Sequence, residues 1–385
     1  MLTLRLNLRE SLLYLATRLI ACGDRRRRTM ADYRPENVRR ILLVSSTALG
    51  DTVLSTAAMI AVRRYFPAVH ITALIHRDYA PLFQHADFLD GIIPYYGGWR
   101  RFFRTLLALR AAKPDLAMIL HGNEPQATPL AYLAGARFIF KLPNTSRFAF
   151  LLSNQMPRVT WADLGHGMMQ RLKVVHLAGV PLNIEERMQL PVPPATRQTA
   201  ASWLAERGVL AMDTLIGFQA GASSRGRMWP VAHFVALARQ LMVAYPACHF
   251  LINGAPHERP RCEEIARGIG ATAIVAAGAL PLEVLPALVQ RCAVIITGDT
   301  GMLHLAVALA VPTVSLFAVS EPAVSGPAYD LERHIVIQRP KAAGVRSKTG
   351  DERWMAQIPV AEVAAAVMEQ LVRQSGRETA PVIRS

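Results

Sequence analysis

Short apolar runs alternate with segments of helical periodicity from residue 40 to about residue 180. The helical segments include 53–62, with Val53, Leu54, Ala57, Ala58 and Val62 on one face, and 102–112. Strands that alternate with helices predict right-handed βαβ units and a parallel sheet. The runs that predict the strands of this first sheet are 41–45, 70–76, 91–94, 116–120 and 137–141.

A second series of the same kind begins near residue 213. Its predicted strands are 215–219, 249–253, 273–276, 294–297 and 313–317, and its predicted helices are 231–245, 261–268, 282–292 and 302–310. Four prolines separate the two series, at positions 181, 191, 193 and 194, which is typical of an interdomain linker. The chain is therefore predicted to be an α/β protein of two Rossmann-like, doubly wound parallel-sheet domains facing a central cleft.

The predicted domain bounds follow from these two series. An extension, 1–39, precedes a first domain, 40–185; a linker, 186–212, leads to a second domain, 213–358; a helix and tail, 359–385, close the sequence. The last helix could cross back to the first domain. A length of 385 residues with 52% hydrophobic and 18% charged residues suits two globular cores.

Charge adds an expectation about partners. The net charge of +15 favours an anionic partner: a phosphorylated substrate, a nucleic acid or an acidic membrane surface. Residues 1–40 hold ten arginines against four acids, whereas the remaining excess is spread as in any arginine-rich protein. The four cysteines lack CxxC spacing, so neither a disulfide framework nor a zinc site is expected, and a cytoplasmic location fits.

The leucine-rich start of the chain has two open interpretations. Its longest unbroken apolar stretch, 12–16, is far shorter than a membrane span, and no signal-peptide cleavage site comes after it. An amphipathic surface helix with Arg25–Arg28 beyond its end would suit the anionic cytoplasmic face of the inner membrane through residues 1–28. A helix that packs on the protein's own core explains the leucines equally well.

The segment 297–304 reads Thr-Gly-Asp-Thr-Gly-Met-Leu-His and joins a buried strand directly to a helix. Asp299, Thr300, Gly301 and His304 would then lie at the carboxyl edge of a parallel sheet, where helix N-termini bind phosphates. The alternative is that Asp299 or Thr300 only caps the helix.

Residues 221–230, Gly-Ala-Ser-Ser-Arg-Gly-Arg-Met-Trp-Pro, open on the same predicted sheet edge. Ser223, Ser224 and Arg227, together with Arg225, offer donors for a diphosphate, although a solvated basic loop would have the same composition. The segment Asn253-Gly-Ala-Pro-His-Glu258 comes at the end of another strand of this half, and Glu258 could accept hydrogen bonds from sugar hydroxyls.

Asp51 comes after the first strand, within Ser-Thr-Ala-Leu-Gly-Asp-Thr, 46–52. A carboxylate there could take a proton from an attacking hydroxyl, or it could be a helix cap. The turn lacks GxGxxG, which disfavours a nicotinamide enzyme. Walker, HExxH, GxSxG and Asp-x-Asp motifs are missing too, so neither a catalytic divalent metal nor a bound cofactor is expected.

Together these segments resemble glycosyltransferase family 9, the lipopolysaccharide heptosyltransferases, over about residues 40–330. The matching elements are Leu49-Gly50-Asp51, Arg227-Met-Trp-Pro230 for the family's Lys-x-Trp-Pro, Gly254-Ala-Pro-His-Glu258, Asp299-Thr-Gly-x-x-His304, and a His-initiated helix from His166 to Gly179. Residues 317–322, Phe-Ala-Val-Ser-Glu-Pro, depart from the family's Phe-Gly-x-Thr-Asp-Pro, with Ala318 in place of the glycine.

The resemblance implies a GT-B fold and an inverting, metal-independent transfer of heptose from ADP-heptose, as co-substrate, to a lipid-linked, phosphorylated saccharide of the lipopolysaccharide core. Asp51 would be the base, with Ser223, Ser224, Arg227, Glu258, Asp299, Thr300, Gly301 and His304 on the donor side. Lys141, Arg147 and His166 are candidates for acceptor binding. A GT-B nucleotide-sugar epimerase is an alternative, and a nucleic-acid-binding protein is disfavoured because the arginines lack interleaved aromatic residues.

Overall fold

The computed structural model describes residues 8–25, 28–122, 126–340 and 351–378. The chain divides into two compact units, Met1–Met188 and Gln189–Ser385. The division falls inside the stretch predicted as a linker, and the helix just beyond it, at positions 194–205, belongs to the second unit.

Unit 1 contains a five-stranded sheet in the order β3-β2-β1-β4-β5, and all of its strand pairs are parallel. The apolar runs form these strands because the sheet is covered on both faces, and every residue of β1 but the first is buried. The strands are β1 (Arg40–Ser45), β2 (His70–His76), β3 (Gly91–Tyr95), β4 (Leu116–His121) and β5 (Phe138–Lys141).

Five described helices surround the sheet of unit 1. Helices α2 and α5 pack together, while α3 and α4 contribute to an apolar cluster with residues of β1 and β4. The helices are α1 (Leu8–Gly23), α2 (Leu49–Tyr65), α3 (Phe102–Ala112), α4 (Ala127–Leu133) and α5 (Gly167–His176).

Unit 2 contains a six-stranded sheet in the order β11-β10-β9-β6-β7-β8, again with parallel pairs throughout. Five of its strands lie where the hydrophobic pattern predicts them. The edge strand β11 was not predicted from the sequence. The strands are β6 (Leu215–Gln219), β7 (His249–Asn253), β8 (Ala273–Val275), β9 (Val294–Gly298), β10 (Thr313–Phe317) and β11 (His334–Gln338).

Seven described helices accompany the second sheet. They are α6 (Pro194–Ala205), α7 (Val231–Ala244), α8 (Arg259–Ile269), α9 (Leu285–Arg291), α10 (Gly301–Ala308), α11 (Pro322–Ser325) and α12 (Val360–Glu378). Helix α12 is the last helix that the sequence predicted, and it packs on α7, β9 and β10 of its own unit.

Both sheets have the strand order 3-2-1-4-5 of a Rossmann fold when strands are numbered within each unit, and the second adds a sixth strand. The prediction of two Rossmann-like parallel-sheet domains is therefore confirmed. In this order the first and fourth strands are neighbours and their crossovers run in opposite directions. Ligands of such folds bind at the carboxyl ends of these two strands.

The described part of α1 buries Leu13, Thr17 and Ala21. Tyr14 makes edge-to-face contacts with Phe148 and Phe150, at centroid distances of 5.7 and 5.5 Å. The helix therefore packs on unit 1, as one of the two interpretations of the leucine-rich start expects. Among the described residues, no helix combines the length and the apolar character that crossing a membrane requires.

Candidate active site

The carboxyl ends of the first and fourth strands of each sheet are called its switch point here. Asp51 lies at the switch point of the first sheet, in the first turn of α2, the helix after β1. Its carboxylate accepts two side-chain hydrogen bonds. Arg171 Nη2 donates to Oδ1 at 2.7 Å, and Thr47 Oγ1 donates to Oδ2 at 3.0 Å. The carboxylate is thereby fixed in orientation, yet the Asp51 side chain remains 28% exposed.

Arg171 is the buried member of this ion pair. It comes from the middle of α5, is only 2% exposed, and also donates to the Gly167 carbonyl at 2.7 Å. Burial lowers the pKa of Arg171, and the charge of Asp51 opposes that change. A buried guanidinium needs an anionic partner, so Arg171 and Asp51 hold each other in place.

His121 is the last residue of β4, the strand beside β1 at the switch point. Its Nδ1 lies 2.7 Å from Thr47 Oγ1 and 3.6 Å from Asp51 Oδ2. Burial, aided by the positive charge of Arg171, lowers the pKa of His121 to about 4. The imidazole is therefore neutral near pH 7 and supplies a hydrogen-bonding group without a charge.

An aromatic side chain lies beside this group. Trp161 has its ring centroid 6.5 Å from that of His121 and is 58% exposed. A tryptophan ring that keeps much of its surface in solvent is suited to stacking against the apolar face of a sugar.

The predicted acceptor residues are distributed over three elements. Lys141 ends β5 and is buried, close enough for its charge to lower the pKa of His121. His166 caps α5, the helix of Arg171, where its Nδ1 accepts from Met168 N at 3.2 Å. Arg147 is exposed at the start of the 3-10 helix Arg147–Leu151. Acceptor binding by any of the three stays a prediction.

The second sheet brings Arg227 and Asp299 together at its own switch point. Asp299 comes directly after β9, and Arg227 lies in the loop after β6, the neighbouring strand. Arg227 Nη1 lies 3.4 Å from Asp299 Oδ2 and donates to the Asp299 carbonyl at 3.3 Å. Gly298 makes the approach possible, because a Cβ there would lie 2.7 Å from the Arg227 carbonyl oxygen.

Thr300 and Gly301 form the N-terminus of α10. Thr300 is the cap, and its Oγ1 accepts from Met302 N at 3.2 Å and lies 2.9 Å from Thr297 Oγ1. Thr300 therefore caps the helix, whereas Asp299 contacts Arg227; donor binding by Thr300 stays a prediction. The helix start still presents a partial positive charge at the sheet edge, and His304 is buried one turn further along.

Glu258 lies against the loop that comes after β6. Its Oε2 accepts from Ala255 N at 2.7 Å, and a Cβ on Gly221 would lie 1.9 Å from Glu258 Cδ. Gly221 thus leaves the space that this carboxylate fills. In the same loop Ser223 is exposed and Ser224 is half-buried.

Arg261, which the sequence did not indicate, fixes both ends of this loop. Its guanidinium donates to the Ala220 carbonyl at 3.0 Å and to the Trp229 carbonyl at 2.6 Å, and pairs with Glu352 at 3.0 Å. Trp229 is itself buried and donates to the Ile358 carbonyl at 3.2 Å. Arg261 and Trp229 therefore fix the ends of the loop that carries Arg227.

Within the part of the chain that the structure describes, no cluster of three or more histidine, cysteine or acidic side chains could hold a metal ion. The contacts at the two switch points are instead hydrogen bonds and ion pairs between side chains and backbone.

Comparison with known proteins relates both units of the chain to one enzyme family. The family model for glycosyltransferase family 9 (heptosyltransferase) matches residues 103–354. Lipopolysaccharide heptosyltransferase 2 of Salmonella typhimurium is 23% identical over 321 residues, which cover 75% of this chain and 85% of the relative.

Solved structures show the same fold. A glycosyl transferase family 9 protein from Veillonella parvula has a TM-score of 0.74 at 23% identity, covering 87% of this chain and 97% of its own. The E. coli ADP-heptose lps heptosyltransferase II has a TM-score of 0.73 at 20% identity, covering 87% and 99%. The two units thus have the GT-B fold that the resemblance implies.

The family model spans well over half of the sequence and includes the Arg227, Glu258 and Asp299 segments, while the relative from Salmonella extends the likeness over three quarters of the chain. The chain therefore belongs to glycosyltransferase family 9 and is a glycosyltransferase.

Proposed function

We propose that this enzyme is an inverting, metal-independent transferase that moves heptose from ADP-heptose onto a phosphorylated saccharide of the lipopolysaccharide core. The observation that carries the proposal is the state of Asp51: a carboxylate held in one orientation by Arg171 and Thr47, with more than a quarter of its side chain exposed. Such a group can accept a proton from a bound hydroxyl.

In the proposed reaction an acceptor hydroxyl attacks the anomeric carbon of the donor, and Asp51 takes the hydroxyl proton. The bond between that carbon and the β-phosphate oxygen breaks, and the electron pair leaves with the nucleoside diphosphate. The hydroxyl attacks from the side opposite the leaving group in a single displacement, so the configuration at the anomeric carbon inverts.

The leaving diphosphate gains negative charge as the bond breaks, and unit 2 supplies groups that stabilise it. The Arg227 guanidinium is partly exposed, and the N-terminus of α10 begins at Gly301, directly after Asp299 and Thr300. Fixed donors aimed at developing charge are an effective form of catalysis and can replace a divalent cation. The exposed Ser223 hydroxyl and the Glu258 carboxylate would contact the donor from the same sheet edge.

Heptose and ADP are proposed because the E. coli neighbour is named as an ADP-heptose enzyme and the Salmonella relative as a lipopolysaccharide heptosyltransferase. The basic groups of unit 1 and the exposed Trp161 suit an anionic saccharide acceptor. Such an acceptor is lipid-linked, so we place the reaction at the cytoplasmic face of the inner membrane.

The test compares the wild-type enzyme with Asp51→Asn, which keeps the size of the side chain but removes its basicity. We expect transfer to fall by about 100-fold or more, with donor affinity within a few fold because the proposed donor residues all lie in unit 2. Wild-type turnover in the variant would remove Asp51 as the base.

Two further measurements fix the rest of the proposal. A thermal-shift comparison of ADP-, UDP- and GDP-sugars identifies the donor, since a ligand of the folded state raises the melting temperature. The anomeric configuration of the product, monitored by NMR, distinguishes inversion from retention. Release of a new sugar from the donor alone, with no acceptor present, would instead indicate an epimerase.

A further inference from the structure

Helix α1 presents a second apolar face, opposite the one that packs on unit 1. Leu8, Leu12, Leu15 and Leu19 recur at helical spacing and are between 56% and 77% exposed. The buried positions Leu13, Thr17 and Ala21 lie on the other side of the helix. A stripe of four exposed leucines on a helix that is already anchored needs a partner outside the unit.

Positive charge flanks this stripe, while the acids are turned away from it. Arg9 and Arg18 are exposed on its two sides, and Arg25 and Arg28 are exposed just beyond the helix. The Asp24 carboxylate accepts from the Tyr132 hydroxyl at 2.9 Å and so faces the protein.

The remaining acid of the helix also lies away from the stripe. Glu10 is half-buried and lies on the helical wheel with the buried positions. The exposed face of α1 therefore combines apolar and cationic side chains, and neither Glu10 nor Asp24 lies on it.

We propose that α1 docks this unit on an anionic lipid bilayer, with Leu8, Leu12, Leu15 and Leu19 inserted among the acyl chains and the arginines on the headgroups. An interfacial helix binds in this way when an apolar face is combined with flanking basic residues. A second copy of the chain is a poorer complement, because apposed stripes would bring arginines together.

The α1 surface lies outside the residues that the family model matches, so the docking inference does not depend on the proposed reaction. It explains why the helix is anchored by one face only. Burial of Leu13, Thr17 and Ala21 fixes its orientation, and the opposite face is then presented in one direction as a rigid unit.

Flotation of the full-length protein with phosphatidylcholine vesicles, with and without phosphatidylglycerol, tests this inference. We expect binding to the phosphatidylglycerol vesicles that weakens as salt is raised, because the arginine contribution is screened. The double variant Leu15→Gln and Leu19→Gln should bind about tenfold more weakly or worse. Arg9→Gln with Arg25→Gln should lower binding several-fold and reduce its salt dependence.

A matched control replaces two exposed apolar residues of unit 2, Met212→Gln with Val243→Gln, which are 94% and 84% exposed in the wild type. This control should bind as the wild type does. Unchanged melting temperatures show that all the variants are folded.

Three outcomes would overturn the inference: no binding of the wild type to either vesicle, equal binding by the leucine variant, or a dimer in solution that the leucine variant dissolves while vesicle binding is lacking. Transfer to a water-soluble acceptor fragment should be unaffected by the leucine variant. Loss of vesicle binding and loss of the proposed activity are therefore separate results.

Discussion

Replacing Arg171 by methionine tests whether the buried guanidinium positions the proposed base. The substitution keeps an unbranched side chain in the buried space but removes the donors to Asp51 and to the Gly167 carbonyl, both at 2.7 Å. Removing one partner of a buried ion pair costs about 3–5 kcal/mol. Because the Asp51 side chain is 28% exposed and can recruit water, we expect a loss of about 2–3 kcal/mol in the free energy of unfolding.

The effect on catalysis should exceed what a loss of stability alone produces. Without Arg171 the Asp51 carboxylate loses its charged hydrogen-bond donor, Nη2 at 2.7 Å, so its Oδ1 is no longer held in place. A displacement of about 1 Å in a reacting group can cost about 100-fold in rate. We therefore expect kcat to fall about 100-fold while the KM for the donor changes by no more than a few fold.

The assay is steady-state transfer at saturating donor, combined with urea unfolding of each variant. Arg64 offers a matched control in the same unit, because its Nη1 pairs with Glu186 at 2.8 Å and Glu186 is only 6% exposed. The Arg64 side chain is 60% exposed, so Arg64→Met should lose less stability than Arg171→Met and keep wild-type kcat. Arg171→Lys keeps the charge without the planar fork and should lie between the wild type and Arg171→Met.

The reasoning would be refuted if Arg171→Met were as active as Arg64→Met at temperatures where both are folded. A fall in donor affinity equal to the fall in kcat would also refute it, since Arg171 would then act on the fold as a whole and not on Asp51.

Two further predictions concern the donor loop and acid stability. Gly221→Ala should weaken donor binding by about tenfold or more, because its Cβ would overlap Glu258. Gly23→Ala is the control: its Cβ would have open space around it, so donor binding should be unchanged. Equal donor affinities of the two variants, measured by calorimetry, would contradict the prediction. Burial lowers the pKa of His121 and of His334 to about 4, so the unfolded chain binds these protons first as the pH falls. Stability from these groups should be complete above about pH 6.5 and lost toward pH 4. The midpoints of urea unfolding at several pH values measure this loss of stability, and His334→Gln should depend less on pH than the wild type. A wild-type midpoint that does not change between about pH 6.5 and pH 4 would contradict the prediction.

The sequence predicted both sheets because their strands are apolar runs buried on two faces, and such runs need no tertiary information to be recognised. It missed β11, an edge strand of five residues in which two side chains, His334 and Ile337, are buried, which is a weaker pattern. It also missed α4, a seven-residue helix. Short elements are stabilised mainly by their neighbours, which the sequence does not reveal.

The contact between Arg227 and Asp299 was easier to predict than the contact between Arg171 and Asp51. Asp299 and Arg227 each come after a recognisable strand, and the loops at the carboxyl ends of parallel strands lie at the same edge of the sheet. Arg171, by contrast, lies in the middle of a helix among apolar residues, and its pairing with Asp51 is set by the packing of α5 on α2. His121 did leave a signal, since it is a polar residue that ends an apolar strand.

The two switch points use the same pair of residue types with opposite exposure. In unit 1 the arginine side chain is 3% exposed and the aspartate 28%, whereas in unit 2 the arginine is 22% exposed and the aspartate 9%. The buried partner fixes and compensates the exposed one, so the exposed partner determines which charge a substrate meets. Unit 1 therefore exposes a carboxylate, which in the proposed reaction takes the proton of the attacking hydroxyl, and unit 2 exposes a guanidinium, which in that reaction binds the departing diphosphate. Substituting a buried partner should accordingly misplace a charge, whereas substituting an exposed partner should remove it.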